Sequence, residues 1–107
     1  MIFGYVRKAK NEDLGESLEK QKHELLKLND KVDYIFEEYA NGLDVNRPEL
    51  NKMLETVTDG DVIVTTDISR LTRDIKQLND IVELAKKNNI KLQVGTTIWD
   101  NTDSMYI

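Results

Sequence analysis

A chain of 107 residues with a single proline, 39% hydrophobic and 33% charged, has the length and composition of one folded domain, which argues against a disordered or low-complexity protein. The lack of cysteine excludes disulfides and thiolate metal sites, and a single histidine makes a histidine-based metal site unfavourable. The net charge of −5 argues against a protein whose whole surface binds nucleic acid. No apolar run reaches the roughly 18 residues of a membrane span, and a cytoplasmic protein is expected.

The first half of the chain predicts strands and helices in alternation. Apolar residues from Leu14 onward recur three and four positions apart, which is one face of a helix, and Asp13 with Glu16 has the spacing of a cap for its start. The segments predicted here are a strand at 2–6, a helix from Leu14, a strand at 32–39, and a helix that starts at Asn46 with Glu49 and stops at Asp59 and Gly60.

The second half continues the alternation. The segment 61–67 is the most β-prone of the chain and is typical of a central parallel strand. A helix from Ile75 ends at Asn88 and Asn89, and residues 90–97 predict a fourth strand. After Gly95 the pattern becomes a polar tail without a closing element, as if the chain were cut or completed by a partner. The order predicts a three-layer α/β sandwich with a mostly parallel central sheet.

Four arginines fall at the ends of predicted strands or at helix starts. Arg70 and Arg73 are three residues apart, so on one helical turn they share a face and could grip a single anion. The alternative is that they are solvated or paired with the nearby carboxylates of Asp67 and Asp74. Together with Arg7 and Arg47 they would repel one another unless an anion neutralised them. A phosphodiester is the natural candidate.

Gln21 is the polar exception on the leucine-rich face of the first helix. A buried amide needs hydrogen-bond partners. It is either a residue at the edge of the apolar stripe or an amide that holds a phosphate or an arginine near the end of the first strand.

Five stretches occur in a fixed order: "GYVRKA", "SLEKQ", "NGLDVNRPELNKML", "GDVIVTTDISRLTRD" and "DNTDSM". Together they resemble the N-terminal catalytic domain of the serine recombinases, the resolvases and invertases. The first is similar to that family's Tyr-x-Arg-x-Ser strand, the second to its Ser-Leu-x-x-Gln helix, and the fourth to its Arg-Leu-x-Arg-Asp block. The third resembles its mobile-loop segment, and the fifth resembles the segment before its long dimer helix.

The resemblance implies a resolvase-like fold for residues 1–107, without the family's long dimer helix and DNA-binding domain. It implies site-specific recombination, in which DNA strands are cut through a phosphoserine link and rejoined without metal or cofactor. The parent would act on double-stranded DNA as a homodimer or tetramer, whereas this fragment alone could be monomeric. The implied site residues are Tyr5, Arg7, Gln21, Arg47, Arg70 and Arg73.

Ala9 stands where the family's nucleophilic serine is expected. A methyl group cannot attack phosphorus, so the chain is expected not to cleave DNA. The nearest alternative hydroxyl is Ser69, beside Arg70, where many small resolvases have an aspartate; Asn41 and Thr56 also depart from the small resolvases. Ala9 is either an engineered substitution or the mark of a natural domain that lost its chemistry, and the intact arginine set favours recent or engineered loss.

Two other functions remain open. A non-catalytic regulator could bind a protein partner through its tail, whose apolar residues are Trp99, Met105, Tyr106 and Ile107. A metal nuclease could use Asp61, Asp67 and Asp100, although such carboxylates are common on an acidic protein and usually solvated. No metal or cofactor is expected for the recombinase or for the regulator.

Overall fold

Strands and helices alternate along the computed structural model, which describes residues 1–8, 17–40 and 47–99. None of the helices in these ranges has the length and apolar character needed to cross a bilayer. The elements are β1 (Ile2–Lys8), α1 (Leu18–Leu28), β2 (Tyr34–Tyr39), α2 (Pro48–Thr56), β3 (Val62–Thr65), α3 (Ile68–Leu71), α4 (Ile75–Lys87), β4 (Lys91–Val94) and β5 (Thr97–Trp99).

The five strands form one sheet in the order β2-β1-β3-β4-β5. The first four are parallel, because a helix returns the chain between them, and β5 is antiparallel to β4. In this register Arg7 of β1 lies beside Glu38 of β2. The prediction of a three-layer α/β sandwich with a mostly parallel sheet is confirmed.

Each face of the sheet has its own apolar core. Alternate side chains of a strand point to opposite faces, so Tyr5 and Val6 belong to different layers. Tyr5 packs in the core formed with α2, α3 and α4, whereas Val6 packs with Leu18 and Leu25 of α1. Among the described helices, α1 therefore covers one face of β1, and α2, α3 and α4 pack on the other.

Two helix starts differ from the sequence prediction. Helix α1 begins at Leu18 and is capped by Ser17, whose hydroxyl accepts the N–H of Lys20 at 3.1 Å, whereas Asp13, the predicted cap, lies outside the described residues. Helix α2 has Arg47 as its N-cap residue, without a side-chain cap hydrogen bond, and Pro48 in its first turn, whereas Asn46, the predicted cap, lies outside the described residues. Proline fits this position because the first N–H of a helix has no intrahelical partner.

The chain after Gly95 differs as well. Where no closing element was predicted, Gly95 adopts a positive φ of 58° in a turn, and Thr97–Trp99 adds β5 to the edge of the sheet. Glycine suits this turn because it has no Cβ to oppose a positive φ. The tail residues 100–107, like 9–16 and 41–46, lie outside the described residues.

Candidate functional site

The carboxyl ends of three neighbouring strands meet at one edge of the sheet. Arg7 lies near the end of β1, Ala40 directly follows β2, and α3 follows β3 after a two-residue gap. Arg47 lies just before α2, and Arg70 lies on α3. Parallel α/β sheets bind their ligands at this edge, and the sequence prediction placed the arginines there.

The Arg7 guanidinium is buried and donates to three main-chain carbonyls. Its Nη1 donates to Ala40 at 2.8 Å, its Nη2 to Ser69 at 2.6 Å, and its Nε to Arg70 at 3.0 Å. Burial lowers the pKa of Arg7, and the nearby charge of Arg47 lowers it further. In this state Arg7 holds the turn after β3 against the end of β2.

Gln21 fixes the main chain of Arg7 from the opposite layer. The N–H of Arg7 donates to Oε1 of Gln21 at 3.1 Å, and Nε2 of Gln21 donates to the Arg7 carbonyl at 2.9 Å. The Gln21 side chain is completely buried. Of the two interpretations of this amide, the geometry supports the one in which it holds an arginine at the end of β1, through the main chain.

Arg47 is also completely buried, and it joins several elements. Its Nη2 and Nε donate to the Tyr5 hydroxyl at 2.6 and 3.2 Å, and its guanidinium lies 5.3 Å from the centroid of the Tyr5 ring. Nη1 donates to Oε1 of Gln77 on α4 at 3.0 Å, and Nη2 also donates to the Leu71 carbonyl. Arg47 therefore ties the start of α2 to β1, α3 and α4.

The sequence analysis missed Glu38, a buried carboxylate of this network. Its oxygens accept the N–H groups of Glu49 and Leu50 at 3.2 and 3.0 Å, which caps α2, and the Tyr5 hydroxyl at 3.3 Å. Burial raises the pKa of Tyr5, so its phenol keeps the proton that it donates to Glu38. The available signal was spacing: Glu38 is two residues after Phe36 in a strand and so shares its inward face.

Arg70 and Arg73 differ from the two buried arginines. Arg70 is half-buried and Arg73 is exposed, and among the described residues their guanidiniums make no hydrogen bond or ion pair. Both charges act on Arg7 by lowering its pKa. The charges of Arg70 and Arg73 thus act on the buried Arg7, and no described carboxylate forms an ion pair with either of them.

Of the alternatives for Arg70 and Arg73, pairing with Asp67 and Asp74 is not what the structure has, whereas the exposure of Arg73 agrees with a solvated side chain. Asp67 accepts the N–H of Ser69 at 2.9 Å and caps α3, and Asp74 accepts the N–H of Lys76 at 3.1 Å and caps α4. Both carboxylates serve as helix caps.

The other candidate residues fall in different places. Ser69 is half-buried, and its carbonyl accepts a hydrogen bond from the Arg7 guanidinium, so Ser69 lies beside the arginines. Thr56 ends α2, where its hydroxyl donates to the Lys52 carbonyl at 2.6 Å, away from the helix start that carries Arg47. Ala9 and Asn41 lie outside the described residues, as do the tail residues Met105, Tyr106 and Ile107, whereas Trp99 ends β5.

The carboxylates of the metal-nuclease hypothesis are not brought together. Asp61 precedes β3 and accepts the terminal ammonium of Met1 at 2.7 Å, a bond that holds the pKa of Asp61 below its usual value. Asp67 follows β3, at the opposite edge of the sheet. Within the described ranges no group of three potential metal-ligating side chains occurs, and Asp100 lies outside them.

Comparison with known proteins gives a consistent result. A family model described as "Resolvase, N terminal domain" matches residues 2–106. A resolvase of Clostridium perfringens is 29% identical over 104 residues, which are 97% of this chain and 53% of the relative. A DNA-invertase of Enterobacteria phage P7 is 30% identical over 105 residues, or 98% of this chain and 54% of the relative. The chain thus spans about half the length of these relatives.

Solved structures share the architecture. The N-terminal catalytic domain of TP901-1 integrase superposes with a TM-score of 0.78 at 19% identity, over 97% of this chain and 84% of that one, which is a likeness of fold. The C-terminal catalytic domain of ISC1926 TnpA, an IS607-like serine recombinase, gives a TM-score of 0.71 at 27% identity, over 87% of this chain and 65% of that one.

Proposed function

The chain belongs to the family of resolvase N-terminal domains, and we propose that it is the part of a site-specific recombinase that holds a phosphodiester of double-stranded DNA. The observation that carries the proposal is the pair Arg70 and Arg73, which no described carboxylate neutralises, beside the buried Arg7 and Arg47. Guanidiniums bind phosphate oxygens through two parallel hydrogen bonds, and a phosphate would relieve their mutual repulsion.

On this proposal the four arginines have two different roles. Arg70 and Arg73, whose guanidiniums have no hydrogen-bond partner among the described residues, offer donors to the phosphate and are the first residues to meet it. Arg7 and Arg47 already donate to carbonyls of the turn after β3, so they hold Arg70 in place and add positive potential from behind. Arg7 can reach the phosphate itself by giving up a carbonyl partner.

Ala9 leaves the chain without a nucleophile at the position where the family's serine is expected. A phosphoserine link requires a hydroxyl oxygen that attacks phosphorus while the 3′ oxygen leaves, and alanine has none. We propose that the chain as written binds the phosphodiester without cleaving it. This chain spans about half the length of its resolvase relatives, and we propose that recognition of a DNA sequence and assembly into a dimer or tetramer depend on the part of a recombinase outside it.

The test restores the hydroxyl. Ala9→Ser would be introduced into residues 1–107 joined to the remaining half of the Clostridium perfringens resolvase, with that resolvase and its own DNA site as the positive control. We expect a covalent protein–DNA adduct on a denaturing gel for Ala9→Ser and none for the unaltered chain. The double variant Ala9→Ser with Arg70→Gln should form far less adduct. A folded Ala9→Ser chimera without adduct would contradict a site that is otherwise competent.

The missing hydroxyl also supports a second candidate, a non-catalytic domain that binds a protein partner. Capture of the chain from its native cell, with and without nuclease treatment, separates the two. One stoichiometric protein that persists after nuclease treatment would favour the interaction module, and retention of DNA alone would favour the recombinase domain.

A further inference from the structure

Gln77 lies in the first turn of α4, where the sequence analysis singled out nothing. Its Oε1 atom accepts two hydrogen bonds, from Nη1 of Arg47 at 3.0 Å and from the Thr72 hydroxyl at 2.5 Å. One neutral oxygen thereby joins a buried guanidinium to the turn between α3 and α4.

Thr72 extends this link to Arg70 and Arg73. It is almost completely buried, lies between Arg70 and Arg73 in the chain, and its hydroxyl accepts the N–H of Asp74 at 3.0 Å. A side chain that fixes Thr72 therefore also fixes the segment 70–73, which carries the guanidiniums of Arg70 and Arg73. Arg47 contacts the same segment directly, because its Nη2 donates to the carbonyls of Arg70 and Leu71.

The chemistry of an amide suits this position. An uncharged oxygen can orient Arg47 and Thr72 without cancelling the positive charge of the cluster. A carboxylate there would accept the same hydrogen bonds but would neutralise Arg47, and at separations of several ångströms its charge would also oppose an approaching anion. A thioether would leave Nη1 of Arg47 without its acceptor.

We propose that Gln77 is a positioning residue of the phosphate site: its amide oxygen sets Arg47 in a fixed relation to Arg70 and Arg73 and leaves their charge available to the ligand. The proposal rests on the proposed function for the identity of that ligand, an inorganic or DNA phosphate. The geometric part, that Gln77 orients Arg47, stands on the hydrogen bonds alone.

The experiment compares Gln77→Glu and Gln77→Met with matched substitutions at Asn79, an exposed residue two positions further along α4. Asn79→Asp adds the same charge and Asn79→Met the same side chain, without touching Arg47. Three quantities are measured on the chain as it stands: the Nε–Hε signal of Arg47 by NMR, the affinity for inorganic phosphate, and the unfolding midpoint in urea.

We expect Gln77→Glu to keep or raise the unfolding midpoint, because it forms an ion pair with Arg47, while it weakens phosphate binding roughly tenfold. A role in folding alone would move stability and affinity together, so the opposite signs are the diagnostic result. Gln77→Met should shift and broaden the Arg47 signal and weaken phosphate binding, and both Asn79 variants should leave the Arg47 signal unchanged.

The two proposals fail in different ways. Failure of the unaltered chain to bind phosphate would contradict the proposed function, and the orienting role would then be judged by the Arg47 signal. An Arg47 signal that is the same in Gln77→Met as in Asn79→Met would overturn the orienting role. Equal loss of phosphate affinity in Gln77→Glu and Asn79→Asp would overturn it too.

Discussion

The Glu38 carboxylate performs two tasks at once. It accepts two N–H groups at the start of α2, where Arg47 supplies no side-chain cap, and it accepts the Tyr5 hydroxyl that is itself the acceptor for Arg47. Within the described residues every buried side-chain nitrogen and oxygen has a hydrogen-bond partner. The removal of one member therefore leaves others buried and unpaired, which costs more than the bond itself contributes.

We predict that Glu38→Ala lowers the free energy of unfolding by about 2 kcal/mol, because it removes a helix cap and leaves buried donors unpaired. The matched control is Glu37→Ala, the neighbouring glutamate, which is exposed and pairs with Lys22 at 3.3 Å. Its cost should stay below about 0.5 kcal/mol, as for other surface ion pairs. Urea denaturation measures both, and equal losses in the two variants would contradict the role given to Glu38.

Tyr5 predicts how stability depends on alkaline pH. Burial raises the pKa of Tyr5 in the folded state. In the unfolded chain the Tyr5 hydroxyl has the ordinary pKa of tyrosine, about 10. The stabilisation from this shift is complete below the unfolded pKa and is lost as pH rises towards the folded one.

We therefore expect the free energy of unfolding to fall less steeply above about pH 10 in Tyr5→Phe than in the unaltered chain. Tyr39→Phe, which changes a tyrosine that is 60% exposed, should follow the unaltered curve. The measurement is urea denaturation over a pH series. Parallel curves for Tyr5→Phe and the unaltered chain would refute the prediction.

At the scale of elements, the packing of α1 on β1 depends on Gly4, which has no side chain. A Cβ placed on Gly4 would lie 2.9 Å from Cδ2 of the buried Leu25 and 3.2 Å from Cγ1 of Ile35. The helix can therefore approach the strand closely, which brings Gln21 within hydrogen-bond distance of the Arg7 main chain.

We predict that Gly4→Ala destabilises the fold by about 2 kcal/mol through overpacking. Gly60→Ala should cost about 1 kcal/mol for a different reason, since Gly60 has a φ of 87° and open space around it. Leu25→Val should cost less in the Gly4→Ala background than alone, and its cost should be unchanged in the Gly60→Ala background. Additive losses in both double variants would exclude the steric explanation.

The elements also show what the sequence could predict. Apolar periodicity sufficed for the four parallel strands and the main helices, and the order of strands and helices sufficed to bring Arg7 and Arg70 to one edge of the sheet. The cap at Ser17 was missed because several polar residues nearby are equally suitable and only packing selects among them. Strand β5 was missed because three residues are too few to show alternation.

The partners of the arginines could not be read from the sequence either. The pattern that placed Arg47 near a helix start did not indicate that its guanidinium is buried against Tyr5 and Gln77. Those pairings depend on tertiary contacts between residues 30 to 42 positions apart.

At the scale of the whole molecule, a chain with a net charge of −5 concentrates its four arginines near one edge of the sheet. On the proposed function, the net negative charge repels DNA while the local arginine cluster attracts one phosphate. The guanidiniums of Arg70 and Arg73 would release few counterions, so binding by this chain alone should be weak and should lack sequence preference.

We predict no gel shift with nanomolar protein at physiological salt, and weak binding at low salt with a slope of log affinity against log salt of about −2. Arg73→Gln should reduce the magnitude of that slope by about 1. Lys87→Gln, which removes the same charge at the far end of α4, is the control and should leave it unchanged. Tight binding at physiological salt, or equal effects of both variants, would contradict a local phosphate site.

Arg7 and Arg47 donate to main-chain carbonyls at residues 69 to 71, and a carbonyl is present whatever side chain a position carries. A lineage that had lost its nucleophile would still need both guanidiniums to satisfy these groups. No hydrogen bond or ion pair in the described fold makes the same demand on the side chains of Arg70 and Arg73. Selection for folding alone would preserve the first pair and let the second drift, so positions 70 and 73 record whether phosphate chemistry was retained.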